Sequence, residues 1–117
     1  MDSEFAARFA EEWVESWNSH DIDKIISHYA DELEFKSPLI VERYSDPHGT
    51  IHNREKLREY FLIGLSNNPS LVFKLKKVFL GVNGLTLYYE NARGGETAEY
   101  FEFNAENKVI RSVSCYS

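Results

Sequence analysis

The sequence predicts an α+β fold in which a curved antiparallel sheet wraps three helices. Two observations predict it. Apolar residues recur with a helical period in the first half of the chain, whereas residues 71–116 consist of four alternating segments separated by turn residues. Helices and strands are therefore segregated along the chain, which favours α+β over a parallel α/β sheet. With 117 residues the chain is long enough for one domain with a substantial core, so we expect residues 1–117 to form a single domain.

Three amphipathic helices are predicted, over residues 3–18, 22–30 and 54–66. Each begins at a residue whose side chain can accept a hydrogen bond from the first free backbone N–H groups. These N-caps are Ser3, Asp21 and Asn53. Because only a short break separates the first two helices, we expect them to form a helical hairpin.

One early strand is predicted over residues 32–37, where apolar and polar residues alternate, and Pro38 is expected to end it. Residues 38–52 carry turn residues and are expected to be irregular. The four later strands are 71–82, 85–91, 96–104 and 108–116. The Asn83-Gly84 pair between two of them is a strong hairpin signal.

The strand over residues 96–104 places a carboxylate on a buried face. Side chains in a strand alternate between two faces, and Glu99 has the same parity as Phe101 and Phe103. If that face lines an apolar pocket, desolvation raises the pKa of Glu99 and makes it an acid or hydrogen-bond donor near neutral pH. The alternative is a structural Glu paired with Arg93 or Arg111.

Composition excludes several classes of function. The net charge is −6 and the basic residues form no stripe, so nucleic-acid binding is not expected. No apolar run approaches the ~20 residues of a membrane span, and the acidic N-terminus does not resemble a signal peptide, so we expect a cytoplasmic protein. Neither a metal-binding motif nor a glycine-rich phosphate loop is present, so no metal and no cofactor is predicted. The single cysteine, Cys115, is expected to be an inert buried thiol.

Three segments together resemble the nuclear transport factor 2-like superfamily, and most closely its SnoaL-like branch. They are WNSHDIDKIISHYADELEFKSP, NREKLREYF and AEYFEFNAENKVIRSVSCY. The resemblance implies a cone, in which three helices close the concave face of a curved sheet around a pocket. It also implies a homodimer formed through the outer sheet face. The superfamily includes isomerases, polyketide cyclases, dehydratases, epoxide hydrolases and non-catalytic binders, so the fold does not decide the function.

The resemblance to ketosteroid isomerases within this superfamily identifies three positions. Their general-base aspartate corresponds to Ser37, their oxyanion-binding tyrosine to Trp13, and their protonated aspartate to Glu99. One acidic position is therefore kept. A serine with no neighbouring base is a poor substitute for a carboxylate, so the isomerase reaction on a steroid-like ketone is not predicted.

Glu99 is the predicted catalytic acid or base. Ligand-contacting side chains are predicted at Trp13, Ser37, Tyr89, Ser114 and Tyr116. For Tyr89 and Trp13 a purely structural role in the core is the alternative. The parity of the last strand stays open, because a bulge would turn Val113 and Cys115 inward in place of Ser114.

The predicted function is the binding of a small, mostly apolar organic molecule, with isomerase- or lyase-type acid–base turnover at Glu99. The alternative is a non-catalytic binding or dimerisation module, in which Tyr88 and Tyr100 contribute an aromatic patch on the outer sheet face. A cavity of about 300 Å³ or more next to Glu99 favours the first hypothesis. A packed interior with Glu99 in an ion pair favours the second.

Overall fold

The computed structural model describes residues 1–117 and has four helices and six strands. The helices are α1 (Ser3–Asn18), α2 (Ile22–Ile26), α3 (Pro38–Tyr44) and α4 (Arg54–Asn67). The strands are β1 (Tyr29–Lys36), β2 (Thr50–Asn53), β3 (Lys74–Leu80), β4 (Gly84–Glu90), β5 (Glu96–Phe103) and β6 (Val109–Tyr116). The predicted α+β class is confirmed.

All six strands form one sheet in the order β2-β1-β6-β5-β4-β3. The last four strands form an antiparallel meander, as predicted. The pair β1–β6 is parallel, so the sheet is not purely antiparallel. This pair arises because the meander starts at the far edge of the sheet and its fourth strand returns beside β1.

Several element boundaries and one helix cap differ from the sequence prediction. Strand β3 is Lys74–Leu80 rather than residues 71–82, and several other ends differ by one residue. Helix α2 ends at Ile26 rather than at residue 30, because Tyr29 already pairs with Val109 of β6. Strand β1 accordingly begins at Tyr29 rather than at residue 32. The N-cap of α1 is Asp2 and not Ser3, since the Asp2 carboxylate accepts hydrogen bonds from the backbone N–H groups of residues 4 and 5.

The segment predicted to be irregular, residues 38–52, contains helix α3 and strand β2. Pro38 occupies the first turn of α3, where its missing N–H costs no hydrogen bond and its fixed φ suits the helix. Strand β2 pairs with β1, with Ile51 opposite Phe35. The proline therefore marks the start of a helix as well as the end of a strand.

The core lies between one face of the sheet and helices α1 and α4. It contains 21 buried apolar residues in one cluster. Trp13 lies near its centre, with rings of Trp17, Phe73, Tyr89 and Phe101 within 6.1 Å of it between centroids. The high aromatic content of the sequence thus serves mainly to fill this core.

The last strand presents serines to the interior. Ser112 and Ser114 are buried and lie opposite Phe101 and Glu99 of β5. Cys115 is exposed, so the prediction of a buried thiol is wrong. A register shift near the end of β5 allows Val109 to be buried as well, although its parity differs from that of the serines.

Candidate functional site

A cavity of about 110 Å³ lies between the inner face of the sheet and helices α1, α3 and α4. Eighteen residues line it, eleven of them hydrophobic. Five of the six predicted site residues are among them: Trp13, Tyr89, Glu99, Ser114 and Tyr116. The volume is below the ~300 Å³ of a typical ligand pocket and is closer to the ~150 Å³ of an engineered cavity that holds benzene. It fits a molecule of about one aromatic ring.

Ser37 is the predicted site residue that does not line the cavity. It is the N-cap of α3, where its hydroxyl oxygen accepts a hydrogen bond from the backbone N–H of Leu39, 3.2 Å away. Its backbone N–H donates to the carbonyl of Gly49 at 3.0 Å. These bonds give Ser37 a structural role, and they do not support its assignment as a ligand contact.

Glu99 reaches the cavity from β5 and is 3% exposed. The phenol of Tyr89 donates a hydrogen bond to Oε1 at 2.8 Å, and the hydroxyl of Ser112 donates to Oε2 at 3.3 Å. Neither arginine of the structural alternative pairs with it, since Arg111 pairs with Glu34 and Arg93 forms no ion pair. The carboxylate therefore has neutral donors and no counter-charge.

Burial raises the pKa of Glu99 to about 7, and the hydroxyl groups of Tyr89, Ser114 and Ser112 oppose that shift. Near neutral pH both the acid and the carboxylate are therefore populated. At this pH the group can donate or accept a proton at a small free-energy cost, which is what general acid–base catalysis requires.

Two lining residues have buried polar atoms without hydrogen-bond partners. They are Nε1 of Trp17 and Oγ of Ser114, and the only other such atom in the structure is the Tyr44 hydroxyl. Ser114 lies opposite Glu99 in the β5–β6 pair and is close enough to favour its charged form, but it makes no hydrogen bond of normal geometry. Because buried polar groups are normally paired, these two atoms are suited to bonding a molecule in the cavity.

Trp13 and Tyr29 form a second buried pair next to the cavity. Nε1 of Trp13 donates to the Tyr29 hydroxyl at 3.1 Å, so the indole N–H is not free for a ligand. Burial, and after it the charge of Glu99, raises the pKa of Tyr29 and of Tyr89 well above the ordinary value. Both phenols are thus neutral, and Tyr89 acts as a hydrogen-bond donor to Glu99.

The exposed part of the cavity lining, called the mouth below, includes Arg43 and Arg93, neither of which was predicted as a ligand contact. Arg43 comes from the last turn of α3, and Arg93 comes from the turn between β4 and β5. Tyr60 of α4 lies under the Arg43 guanidinium, whose Cζ is 5.7 Å from the ring centroid. The position of Arg43 beside the cavity could not be predicted, because the sequence indicates no helix in its segment. Arg93 was considered only as an ion-pair partner of Glu99.

No group of three or more His, Cys, Asp or Glu side chains is arranged to hold a metal ion. None of the four helices combines the length and apolar character needed to cross a membrane.

Comparison with known proteins identifies the family. The model of the SnoaL-like domain matches residues 10–114. The chain belongs to the SnoaL-like family. A SnoaL-like protein of unknown function from Burkholderia thailandensis E264 is 34% identical over 99% of this chain and 97% of its own, with a TM-score of 0.97. The resemblance inferred from the sequence is confirmed.

More distant structures share the SnoaL-like fold. A proposed isomerase of the family from Agrobacterium tumefaciens C58 is 12% identical over 96% of this chain and 97% of its own, with a TM-score of 0.75. A proposed ketosteroid isomerase from Kribbella flavida is 11% identical over 99% of this chain and 80% of its own, with a TM-score of 0.76. At this identity they show the fold alone. No curated protein matches this SnoaL-like chain at a significant level.

Proposed function

We propose that this SnoaL-like protein binds a small, mostly apolar organic molecule in the cavity and exchanges a proton with it through Glu99. The observation that carries the proposal is a titratable carboxyl group, 3% exposed, that lies on the wall of an aromatic cavity and forms no ion pair. A buried acid without a cationic partner is costly for stability, and such groups concentrate at functional sites. Two unpartnered polar atoms support the same conclusion: Oγ of Ser114, which lies opposite Glu99, and Nε1 of Trp17, another residue of the cavity lining.

The reaction that fits this arrangement is an isomerase- or lyase-type proton transfer with a single acid–base group. Glu99 is the only carboxyl group that lines the cavity, and the position equivalent to the general base of ketosteroid isomerases is the helix cap Ser37. The proton that Glu99 removes must therefore return from Glu99 itself or leave with water. Tyr89 holds the carboxyl group in place, while Trp17 Nε1 and Ser114 Oγ offer further polar contacts.

Binding can be measured with a library of one-ring compounds by thermal shift, followed by NMR titration of the hits. We expect compounds that stabilise the wild-type protein and whose affinity changes at least about tenfold in Glu99→Gln, since the exchangeable proton at the cavity wall is lost. Glu102→Gln is the matched control, because Glu102 lies on the same strand but on its outer face. There its carboxylate accepts a hydrogen bond from the Tyr100 hydroxyl. Absence of ligand-dependent stabilisation in all three proteins would contradict the proposal.

A second proposed role is homodimerisation through the outer sheet face. Register places Phe79, Thr86, Tyr100 and Val113 in one row across four strands, and Phe79 is 48% exposed. Aromatic residues are enriched at protein interfaces, so this row of Phe79, Tyr100 and their neighbours favours a contact between two copies. Sedimentation equilibrium is expected to give a dimer mass for the wild type and a monomer mass for Phe79→Lys. A monomeric wild type at the highest concentration would exclude this role while leaving the cavity proposal intact.

A further inference from the structure

We propose that the ligand is a small organic acid whose carboxylate is held by Arg43 and Arg93 at the mouth of the cavity. This inference rests on the proposed function, because it concerns the same cavity and assigns the chemical class of its ligand. It also assigns two binding residues that no sequence motif indicated.

Two arginines from unrelated parts of the chain converge on the mouth. Arg43 belongs to α3, and Arg93 belongs to the turn between β4 and β5, fifty residues later. The turn is well ordered by Asn91, whose Oδ1 accepts hydrogen bonds from the backbone N–H of Arg93 at 2.9 Å and of Gly95 at 3.1 Å. Arg93 is thus presented by a hydrogen-bonded turn.

Neither arginine at the mouth is neutralised by the protein. Three of the six arginines pair with carboxylates, namely Arg54, Arg58 and Arg111. Arg43 and Arg93 form no ion pair, although the chain carries 19 acidic and 13 basic residues. The only acidic residue that lines the cavity is Glu99, which lies buried on its wall. The exposed charged residues that line the cavity are therefore both arginines, in a protein that is negative overall.

An aromatic ring holds one of the two guanidinium groups at the mouth. The Arg43 guanidinium lies over Tyr60. Tyr116 and Arg93 line the same cavity. A guanidinium that stacks on a ring keeps its N–H groups free in its own plane, where they can bind a carboxylate with two parallel hydrogen bonds.

The proposal gives the ligand one orientation in the cavity. A carboxylate at the mouth meets the two arginines, an aromatic ring fits among Trp13, Phe61 and Phe73, and a polar substituent reaches Glu99. This orientation keeps the ligand's negative charge away from the buried carboxyl group. The reverse orientation would place two acids together on an apolar wall, which is strongly unfavourable.

Benzoate and benzamide are the probes, because they have the same size and shape and differ in charge. Their dissociation constants can be measured by NMR titration at low ionic strength for the wild type, Arg43→Gln, Arg93→Gln and the double variant. We expect benzoate to bind the wild type about tenfold or more tightly than benzamide, and the double variant to lose that preference. Added salt should weaken benzoate binding to the wild type and leave benzamide unchanged.

Arg8→Gln is the matched control, because Arg8 is an exposed arginine on α1 that forms no ion pair and does not line the cavity. It removes the same net charge as either single variant and is expected to leave both affinities unchanged. If the double variant does not fold, the benzoate affinities of the single variants and the salt dependence of the wild type test the proposal instead.

Equal binding of benzoate and benzamide to the wild type would overturn the assignment of an acid ligand while leaving the proposed function standing. Loss of benzoate affinity of the same size in Arg8→Gln would also overturn it, because the effect would then come from net charge. Failure of both probes to bind the wild type would also overturn this inference, while the compound library decides the proposed function separately.

Discussion

Replacing Trp13 with alanine is expected to lower the free energy of unfolding by about 3–5 kcal/mol. Trp13 is 1% exposed and contacts aromatic rings from α1, β4, β5 and the segment before β3. Alanine would remove these contacts and enlarge the neighbouring cavity. Urea denaturation monitored by far-UV circular dichroism measures the change, and a loss below about 1 kcal/mol would contradict the central position of this residue.

Phenylalanine at the same position separates packing from hydrogen bonding. Trp13→Phe keeps an aromatic ring but removes the donor that binds the Tyr29 hydroxyl. Trp17→Phe is the matched control, because Trp17 is also buried and its Nε1 has no partner. We expect Trp13→Phe to cost about 1–3 kcal/mol more than Trp17→Phe, which is the cost of leaving a buried hydroxyl without its donor. Equal costs would show that the Trp13–Tyr29 bond contributes no net stability.

The inward position of the site residues on β4 and β5 could be predicted because that pair has no bulge. Register runs without interruption from Gly84 opposite Glu102 to Glu90 opposite Glu96. The alternation of residues along each strand therefore predicts correctly which side chains face inward, and it places Tyr89 and Glu99 on the same face. The serines of β6 could not be placed in this way, because a register shift elsewhere in the strand decides which parity faces inward.

The mouth of the cavity could not be predicted, since it depends on contacts between distant segments. Arg43 lies in a helix that begins at Pro38, and a proline gives the same local signal at the end of a strand and at the start of a helix. Arg93 lies in a turn whose position over the cavity follows from the packing of the whole sheet. The cavity volume depends in addition on how the aromatic rings pack, which no period in the sequence describes.

Ionisation of Glu99 is expected to cost the folded protein about 3 kcal/mol above neutral pH. Its pKa is raised from an ordinary 4.5 to about 7, chiefly by burial. Below about pH 4.5 the carboxyl group is protonated in both the folded and the unfolded chain and contributes no difference. As the pH rises, the unfolded chain releases this proton first, so the free energy of unfolding falls until the folded protein releases it near pH 7. The difference between the two pKa values corresponds to about 3 kcal/mol.

Glu99→Gln removes this titration and isolates its contribution, because the other ionisable groups are common to both proteins. The free energy of unfolding of the variant minus that of the wild type should increase by about 3 kcal/mol between about pH 4 and about pH 9, with the change centred between the two pKa values. Glu102→Gln removes a carboxylate from the outer face of the same strand. It measures how much the pH dependence changes when a carboxylate outside the cavity is lost. A difference that stays constant over this range would show that Glu99 is no harder to ionise in the folded protein than in the unfolded chain. It would then be a carboxylate at neutral pH, able to accept a proton from a ligand but unable to donate one, and the acid half of the proposed proton exchange would fail.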